Sequence, residues 1–198
     1  NLRLSEKMKE KRTIIREDTM NVRVASIDEY QFLICVKYNV WGANLGRLSK
    51  WISGDFLMFI VDKKITALAE VIGEHFVSDD VLWDNGFYNH RIGLKFLYIL
   101  DEKDRIIVND EIKELFIKSW GKNYGVGILN KTLISGEIAK ILVEMIQKQP
   151  NSLQYYMDNI NNILDEINIQ RENEYLMYKA NKIENKERKF KDKTIEIS

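Results

Sequence analysis

The sequence is poor in cysteine, proline and histidine, and it lacks any long apolar run. Its 198 residues contain one cysteine, Cys35, one proline and two histidines. A single cysteine cannot form an internal disulfide, which is typical of a reducing compartment such as the cytoplasm. No apolar run reaches the roughly 20 residues that a membrane-spanning helix needs, and the charged N-terminal stretch has no signal-peptide pattern. We therefore expect a cytoplasmic protein that does not enter a membrane.

An excess of charge of either sign is also missing. The chain has 30 Lys and Arg against 30 Asp and Glu, so its formal net charge is zero. The protein therefore has no overall cationic field to attract nucleic acid, and any such binding depends on a local patch. The hydrophobic share of 45% is enough for one domain with a sizeable core and an appendage.

Residues that carry catalysis or metal binding are few and dispersed. His75 and His90 are separated by a predicted strand and a loop, and Cys35 lies on a predicted helix, so no metal-ligand spacing is present. The glycines of Trp120–Gly127 have neither the GxGxxG nor the Walker order of phosphate-binding loops. We find no triad and no pair of carboxylates placed for hydrolysis. We therefore predict no catalytic residue, no metal and no cofactor, and we expect that the protein is not an enzyme.

Hydrophobic periodicity indicates strands and helices in mixed order, with few of the crossovers that parallel sheets need. We predict an α+β fold with a barrel-like sheet. We also predict an N-terminal arm over residues 1–19, a core domain over 20–149, and a helical extension or linker over 150–198. The predicted elements are a strand at Val22–Ser26, a helix at Glu29–Tyr38, a hairpin of Phe56–Val61 and Ile65–Ile72, a strand at His90–Leu100, helices at Asp110–Ser119 and Gly136–Gln149, and a loop at Trp120–Gly127.

Tryptophan, in contrast, is abundant, since the chain has four. Three of them, Trp41, Trp83 and Trp120, lie in or beside predicted loops. Two indole faces across a loop opening can sandwich a planar base, and each such stack contributes about 1–3 kcal/mol. A base in a duplex must be flipped out to reach them. A structural role in the core is the alternative for each tryptophan, and Trp51, which precedes the hairpin, fits that alternative best.

Several short motifs, taken in order, resemble the EVE domains of the PUA-like superfamily and, more distantly, YTH domains. The resemblance extends over about residues 21–148. The motifs are Asn39-Val40-Trp41-Gly42 after the opening strand and helix, the L-S-x-x-x-x-G-D pattern of Leu48–Asp55, and the segments Ala67–Val71, Tyr88–Ile92 and Leu115–Trp120. This resemblance implies a small PUA-like β-barrel flanked by helices, with a pocket for a modified base such as 6-methyladenine or a modified cytosine.

The resemblance also implies roles for particular residues. Trp41 and Trp83 match the cage that stacks on the base, and Trp120 is a further candidate for it. Ser26, Asp28 and Asn39 are the candidates for polar contacts to the base edge. Cations in or beside the same loops could form a phosphate-binding rim, although a solvated surface explains them equally well. The rim candidates are Lys37, Arg47, Lys50, Arg91 and Lys122, with His90, Lys118 and Lys131 nearby.

EVE-like domains also resemble the N-terminal specificity module of archaeal McrBC-type restriction systems, in which a GTPase motor follows. Our hypothesis is a base-flipping reader of modified nucleic acid that favours methylated DNA over RNA. It would act in a modification-dependent defence system with a GTPase motor domain or subunit as its partner. The alternatives are a modified-base reader of RNA, an interaction or scaffold protein that uses the C-terminal helix, and an unrecognised enzyme on nucleotides. The sequence leaves the modification and the oligomeric state open.

Overall fold

The computed structural model describes residues 20–44 and 46–197. The predicted N-terminal arm, residues 1–19, lies outside this part of the chain. The chain divides into two units, Asn1–Ile160 and Asn161–Ser198. No helix among the described residues is long and apolar enough to cross a membrane.

A mixed sheet is the centre of the first unit. Its strands are β1 (Asn21–Ile27), β2 (Val40–Ala43), β3 (Phe56–Val61), β4 (Lys64–Val77), β5 (His90–Ile99), β6 (Ile106–Ile107) and β7 (Ile134–Ser135). The helices are α1 (Glu29–Tyr38), α2 (Asp110–Trp120), α3 (Tyr124–Leu129), α4 (Gly136–Gln147) and α5 (Leu153–Ile197), with 3-10 turns at Gly46–Lys50 and Glu102–Asp104.

The strands follow the order β2-β5-β4-β3-β1-β7, and β6 pairs with β4. β1 runs parallel to β3, whereas the other pairs are antiparallel. The predicted α+β fold class is confirmed: a mixed sheet, where the prediction was a small mixed barrel, is flanked by helices, and an additional C-terminal helix follows. Among the described residues, β2 and β7 are the two ends of the strand path.

Local signals set both ends of α1. The side chain of Asp28 accepts a hydrogen bond from the backbone N–H of Gln31 at 2.7 Å, which caps the first turn. Asn39 ends the helix in the left-handed conformation, with φ of 52°. This left-handed residue turns the chain directly into β2, which pairs with β5 and places Trp41 opposite Ile92. The sequence predicted only a helix end at this point.

Apolar side chains cover both faces of β3. On one face, Phe59 packs against Phe32 of α1 and Phe96 of β5. The ring centroid of Phe59 lies 5.5 Å from that of Phe32 and 5.5 Å from that of Phe96. Met58 and Ile60, which alternate with Phe59, belong to the main core with residues of α2 and α4. Because both faces are buried, the strand is apolar throughout, and the hairpin that it forms with β4 could be predicted from sequence.

Two local features differ from the predictions. α3 begins inside the predicted loop Trp120–Gly127 and ends beyond it, at Leu129. Its Gly127 packs so closely against the indole of Trp120 that a Cβ would meet Cδ2. β4 continues past Ile72 to Val77 through a register shift. The first unit continues beyond Pro150, because the side-chain amide of Asn151 bonds to the backbone of β5 at Leu97 and Ile99.

Candidate functional site

A cavity of about 1190 Å³ opens between the two ends of the strand path. Its lining comes from β1, α1, β2, the 3-10 turn with Trp51, the loop between β4 and β5, and the segment Leu129–Leu133 that leads into β7. Sites for single small molecules occupy roughly 300–1,000 Å³. The cavity therefore has room for a base together with its sugar and phosphate.

Two near-parallel indoles form one wall of the cavity. The ring centroids of Trp41 and Trp51 lie 6.3 Å apart, with 12° between the ring planes. A base sandwiched between two rings needs van der Waals contacts of about 3.5 Å on each face, so the two ring planes would lie about 7 Å apart. Phe59 packs edge-on against Trp41 with centroids 6.0 Å apart, which fixes the orientation of this indole. Trp51, expected to be structural, also lines the cavity.

Trp83 forms a second wall, next to the first. Its side chain is only 3% exposed, and its ring meets Tyr88 edge-on with centroids 5.3 Å apart. A Cβ on Gly42 would lie 2.6 Å from Cη2 of Trp83, so a residue without a side chain is required here. The glycine that follows Trp41 therefore lets the loop indole approach β2, and Trp41 and Trp83 line the same cavity.

Trp120, the third predicted cage residue, lies outside this lining. Its indole stacks on Phe116 of α2, with centroids 5.5 Å apart and 22° between the planes, and it packs against the main core. Its buried N–H has no hydrogen-bond acceptor among the described residues. Packing against Phe116 of α2 and against Gly127 of α3 places this indole apart from the cavity lining, and its role in a cage stays a prediction.

None of the three residues predicted to contact the base edge lines the cavity. Ser26 is an exposed residue of β1, Asp28 caps α1, and Asn39 is its exposed left-handed C-terminal residue. Gln31 is a polar residue of α1 that does line the cavity, and its amide Nε2 donates to the hydroxyl of Tyr88 at 3.3 Å. A sequence signal was available, because Gln31 lies one turn before the buried Cys35 and thus on the same side of α1.

The predicted phosphate-binding residues separate into two groups. Arg47 and Lys50 line the cavity and are exposed, whereas Lys37 and Lys122 are exposed but outside the lining. Arg91 is 2% exposed and donates to the backbone carbonyls of Asp80, Phe87 and Tyr88. The guanidinium therefore holds the loop around Trp83 in place, and the contact of Arg91 with phosphate stays a prediction.

Two further cations are associated with the parallel indoles. The guanidinium of Arg23 lies 4.9 Å from the ring centroid of Trp51 and forms a buried ion pair with Asp55 at 2.7 Å. The Nζ of Lys131 lies 5.6 Å from the ring centroid of Trp41 and donates to the carbonyl of Ile128 at 2.9 Å. Burial lowers the pKa of Lys131 to about 8. Each indole of the pair therefore has a cation within reach of its π-system.

The lining as a whole is cationic. Of its described residues, four are basic, Arg23, Arg47, Lys50 and Lys131, and none is acidic. Among the described residues, only Arg23 of these four has a carboxylate partner, so three basic side chains of the lining are not neutralised by an ion pair there. Such an arrangement attracts an anionic ligand locally, even though the protein has no long-range field of either sign.

The groups in and near the cavity that carry nucleophilic or metal chemistry elsewhere are one cysteine and two histidines. Cys35 contributes to the lining but is buried, and burial raises the pKa of its thiol, which opposes formation of a reactive thiolate. His75 and His90 lie outside the lining, with Nε2 and Nδ1 3.2 Å apart. Across residues 20–44 and 46–197, no group of three or more His, Cys, Asp or Glu residues could hold a metal ion.

No protein-family model matches the chain. No curated protein matches it either. Among solved structures, the chain is similar to the YTH domain of the Zygosaccharomyces rouxii MRB1 protein in complex with N6-methyladenosine RNA, at 14% identity and a TM-score of 0.49 over 68% of this chain and 91% of that one. It is also similar to the Toxoplasma CPSF4 YTH domain in apo form, at 12% identity and a TM-score of 0.47 over 68% of this chain and 90% of that one.

Proposed function

We propose that this chain is a nucleic-acid-binding module that holds a modified base in the cavity between β2 and Leu129–Leu133. The observation that carries the proposal is the combination of three indoles with four cations and no carboxylate on the described lining. Aromatic faces stack on bases, and cations bind phosphates. A free aromatic metabolite would not require the cations, and a free anion would not require the indoles.

Each part of the cavity has a separate task in this proposal. The indole of Trp41 stacks on the base, while Trp51 and Trp83 complete the aromatic walls. The amide of Gln31 offers both a donor and an acceptor to the base edge, as Asn and Gln side chains do when they pair with adenine. Arg47, Lys50 and Lys131 hold the flanking phosphates. A base in a duplex reaches this cavity only after it has been flipped out.

The modification is recognised, in this proposal, because a methyl group makes the base edge more apolar. One methyl group in a fitted hydrophobic pocket contributes about 1–3 kcal/mol to discrimination. We favour methylated DNA as the polymer and, on the sequence resemblance, a role as the specificity domain of a modification-dependent restriction system with a GTPase motor. RNA is the alternative polymer. A binding role, rather than catalysis, is supported by the absence of carboxylates from the described lining and by the buried thiol of Cys35.

The test is the affinity of the full chain for matched oligonucleotides that contain N6-methyladenine, 5-methylcytosine or no modification, as DNA and as RNA. We expect tighter binding of one modified form. The Trp41→Ala variant should lose about five- to a hundredfold, since one base stack contributes about 1–3 kcal/mol. Tyr38→Ala is the matched control, because this aromatic side chain is exposed and lies outside the lining. Equal affinity of the wild type for modified and plain oligonucleotides would disprove recognition of a modification.

A further inference from the structure

Two leucines at the opening of the cavity are exposed to solvent. Leu129, the last residue of α3, is 74% exposed, and Leu133 is 38% exposed. Both contribute to the cavity lining. Single exposed apolar residues are common on protein surfaces. This pair is different because it lies at the edge of a cationic, indole-lined cavity, where the charges of Arg47 and Lys131 are close by in the lining.

The segment that carries Leu129 is held by its own backbone. The N–H of Asn130 bonds to the carbonyl of Val126 at 2.9 Å, and the N–H of Thr132 bonds to the carbonyl of Gly127 at 2.9 Å. The guanidinium of Arg47 donates to the side-chain oxygen of Asn130 at 3.1 Å. Leu129 is therefore presented on a turn fixed by hydrogen bonds from both sides, not on a free loop.

α3 itself is fixed against the core. Gly127 lies so close to Trp120 that a Cβ would be 2.4 Å from the indole, and Trp120 in turn stacks on Phe116. Displacing the helix toward the core would bring its backbone into the indole. The end of the helix that carries Leu129 is therefore backed by the core, which resists displacement of this residue toward the inside of the protein.

We propose that Leu129 is a wedge that fills the position left in a DNA double helix by the base that enters the cavity. This inference rests on the proposed function and deepens it, because it identifies the substrate as a duplex. Flipping a base out of a duplex breaks its stacking on both neighbours, and proteins that distort duplexes offset this cost by inserting an apolar side chain. A single strand has no such gap to fill, so a wedge contributes little to its binding.

The experiment compares two probes that contain the same N6-methyladenine, one a single-stranded DNA and the other its duplex, by fluorescence anisotropy with the full chain. We expect Leu129→Ala to weaken duplex binding about tenfold, as loss of an inserted wedge predicts, and to change single-strand binding less than twofold. Val126→Ala is the matched control, because Val126 is on the same helix, 55% exposed and outside the lining. Thermal unfolding monitored by circular dichroism verifies that both variants fold.

The outcomes distinguish a failure of the proposed wedge from a failure of the proposed function. An equal loss on both probes would show that Leu129 is only a wall of the cavity, and equal effects of Leu129→Ala and Val126→Ala would show that the position is unimportant. Either result overturns the wedge. If the wild type selects the methylated single strand while duplex binding is indifferent to Leu129, the wedge fails and the proposed function stands. Each probe is also measured without its methyl group, and if the wild type binds neither methylated probe more tightly than its unmethylated counterpart, recognition of N6-methyladenine in DNA fails, and the wedge fails with it.

Discussion

At the scale of single residues, Lys131 is the cation whose charge depends most on its surroundings. Its ammonium group is mostly buried beside the ring of Trp41, and its one hydrogen bond among the described contacts goes to the carbonyl of Ile128. Burial lowers the pKa of this group to about 8, from 10.5. The residue is therefore charged at neutral pH but loses its proton within the range in which nucleic-acid binding can be measured.

We expect the affinity for a methylated oligonucleotide to fall as pH rises from about 6.5 to 9, by about tenfold, because a charge-assisted hydrogen bond is lost. Lys131→Arg keeps its charge over this range and should bind with little pH dependence, whereas Lys131→Met should bind weakly at every pH.

Between about pH 8 and 10.5 the unfolded chain binds more protons than the folded one at this position. The free energy of unfolding should therefore rise with pH in that interval for the wild type and not for Lys131→Met. If affinity and the free energy of unfolding change with pH in the same way in wild type and Lys131→Met, the lowered pKa does not belong to Lys131.

The candidate residues differ in the information that placing them requires. Trp41 could be placed at a pocket because it follows a helix end and precedes a glycine. Gln31 was not predicted because its place in the lining depends on which face of α1 points toward the loop of Tyr88, and Tyr88 is 57 positions away in sequence. The burial of Arg91 was not predicted because neither it nor the carbonyls that Arg91 binds can be read from composition.

At the scale of elements, Arg105 connects three parts of the first unit. Its guanidinium donates to both carboxylate oxygens of Glu29 at the start of α1, at 2.6 and 2.9 Å, and to the hydroxyl of Tyr156 in α5 at 3.3 Å. Burial by itself would lower the pKa of Arg105, but the hydrogen bond and charge of Glu29 outweigh it, so the pKa is raised overall. The guanidinium therefore remains charged and holds the first turns of both helices together.

We expect Arg105→Met to lower the free energy of unfolding by about 2–4 kcal/mol, because the carboxylate of Glu29 would lose both bonds in a largely buried position. Urea unfolding measures this change. Arg188→Met is the control, since Arg188 and Glu184 form an exposed ion pair, with the two side chains 71% and 60% exposed. Exposed pairs contribute about 0–1 kcal/mol. Losses of similar size in the two variants would mean that the Arg105 pair does not stabilise the unit as described.

Elements with strong periodicity were predictable, and those that depend on their partners were not. The helices α1 and α4 and the hairpin of β3 and β4 have regular apolar patterns or apolar runs. β2 has four residues and is defined by its pairing with β5, so nothing local distinguishes it from a helix end. α3 contains Gly125 and Gly127, which disfavour a helix, and it is stabilised by packing of Gly127 against Trp120.

At the scale of the whole molecule, the cavity is assembled from segments that are far apart in sequence. Trp41 lies next to Trp51 and Trp83, and the opposite side comes from Leu129–Leu133, close to the other end of the strand path. Sequence reasoning could predict a mixed sheet and an aromatic pocket. It could not predict which loops converge, because convergence depends on strand order, and the order β2-β5-β4-β3-β1-β7 follows from long-range pairing.

This assembly concentrates positive charge in a neutral molecule, and salt dependence tests whether that charge binds phosphates. Three lining cations, Arg47, Lys50 and Lys131, have no carboxylate partner among the described contacts. If they bind three phosphates of duplex DNA, the slope of log affinity against log salt should be about −3, which weakens binding roughly 40-fold between 50 and 200 mM salt.

Lys50→Gln should reduce the magnitude of this slope by about one unit. Lys37→Gln, an exposed residue outside the lining, should leave it unchanged. Equal slopes for Lys50→Gln and Lys37→Gln would place the phosphate contacts outside the cavity, whereas a wild-type slope near zero would exclude phosphate binding by this surface.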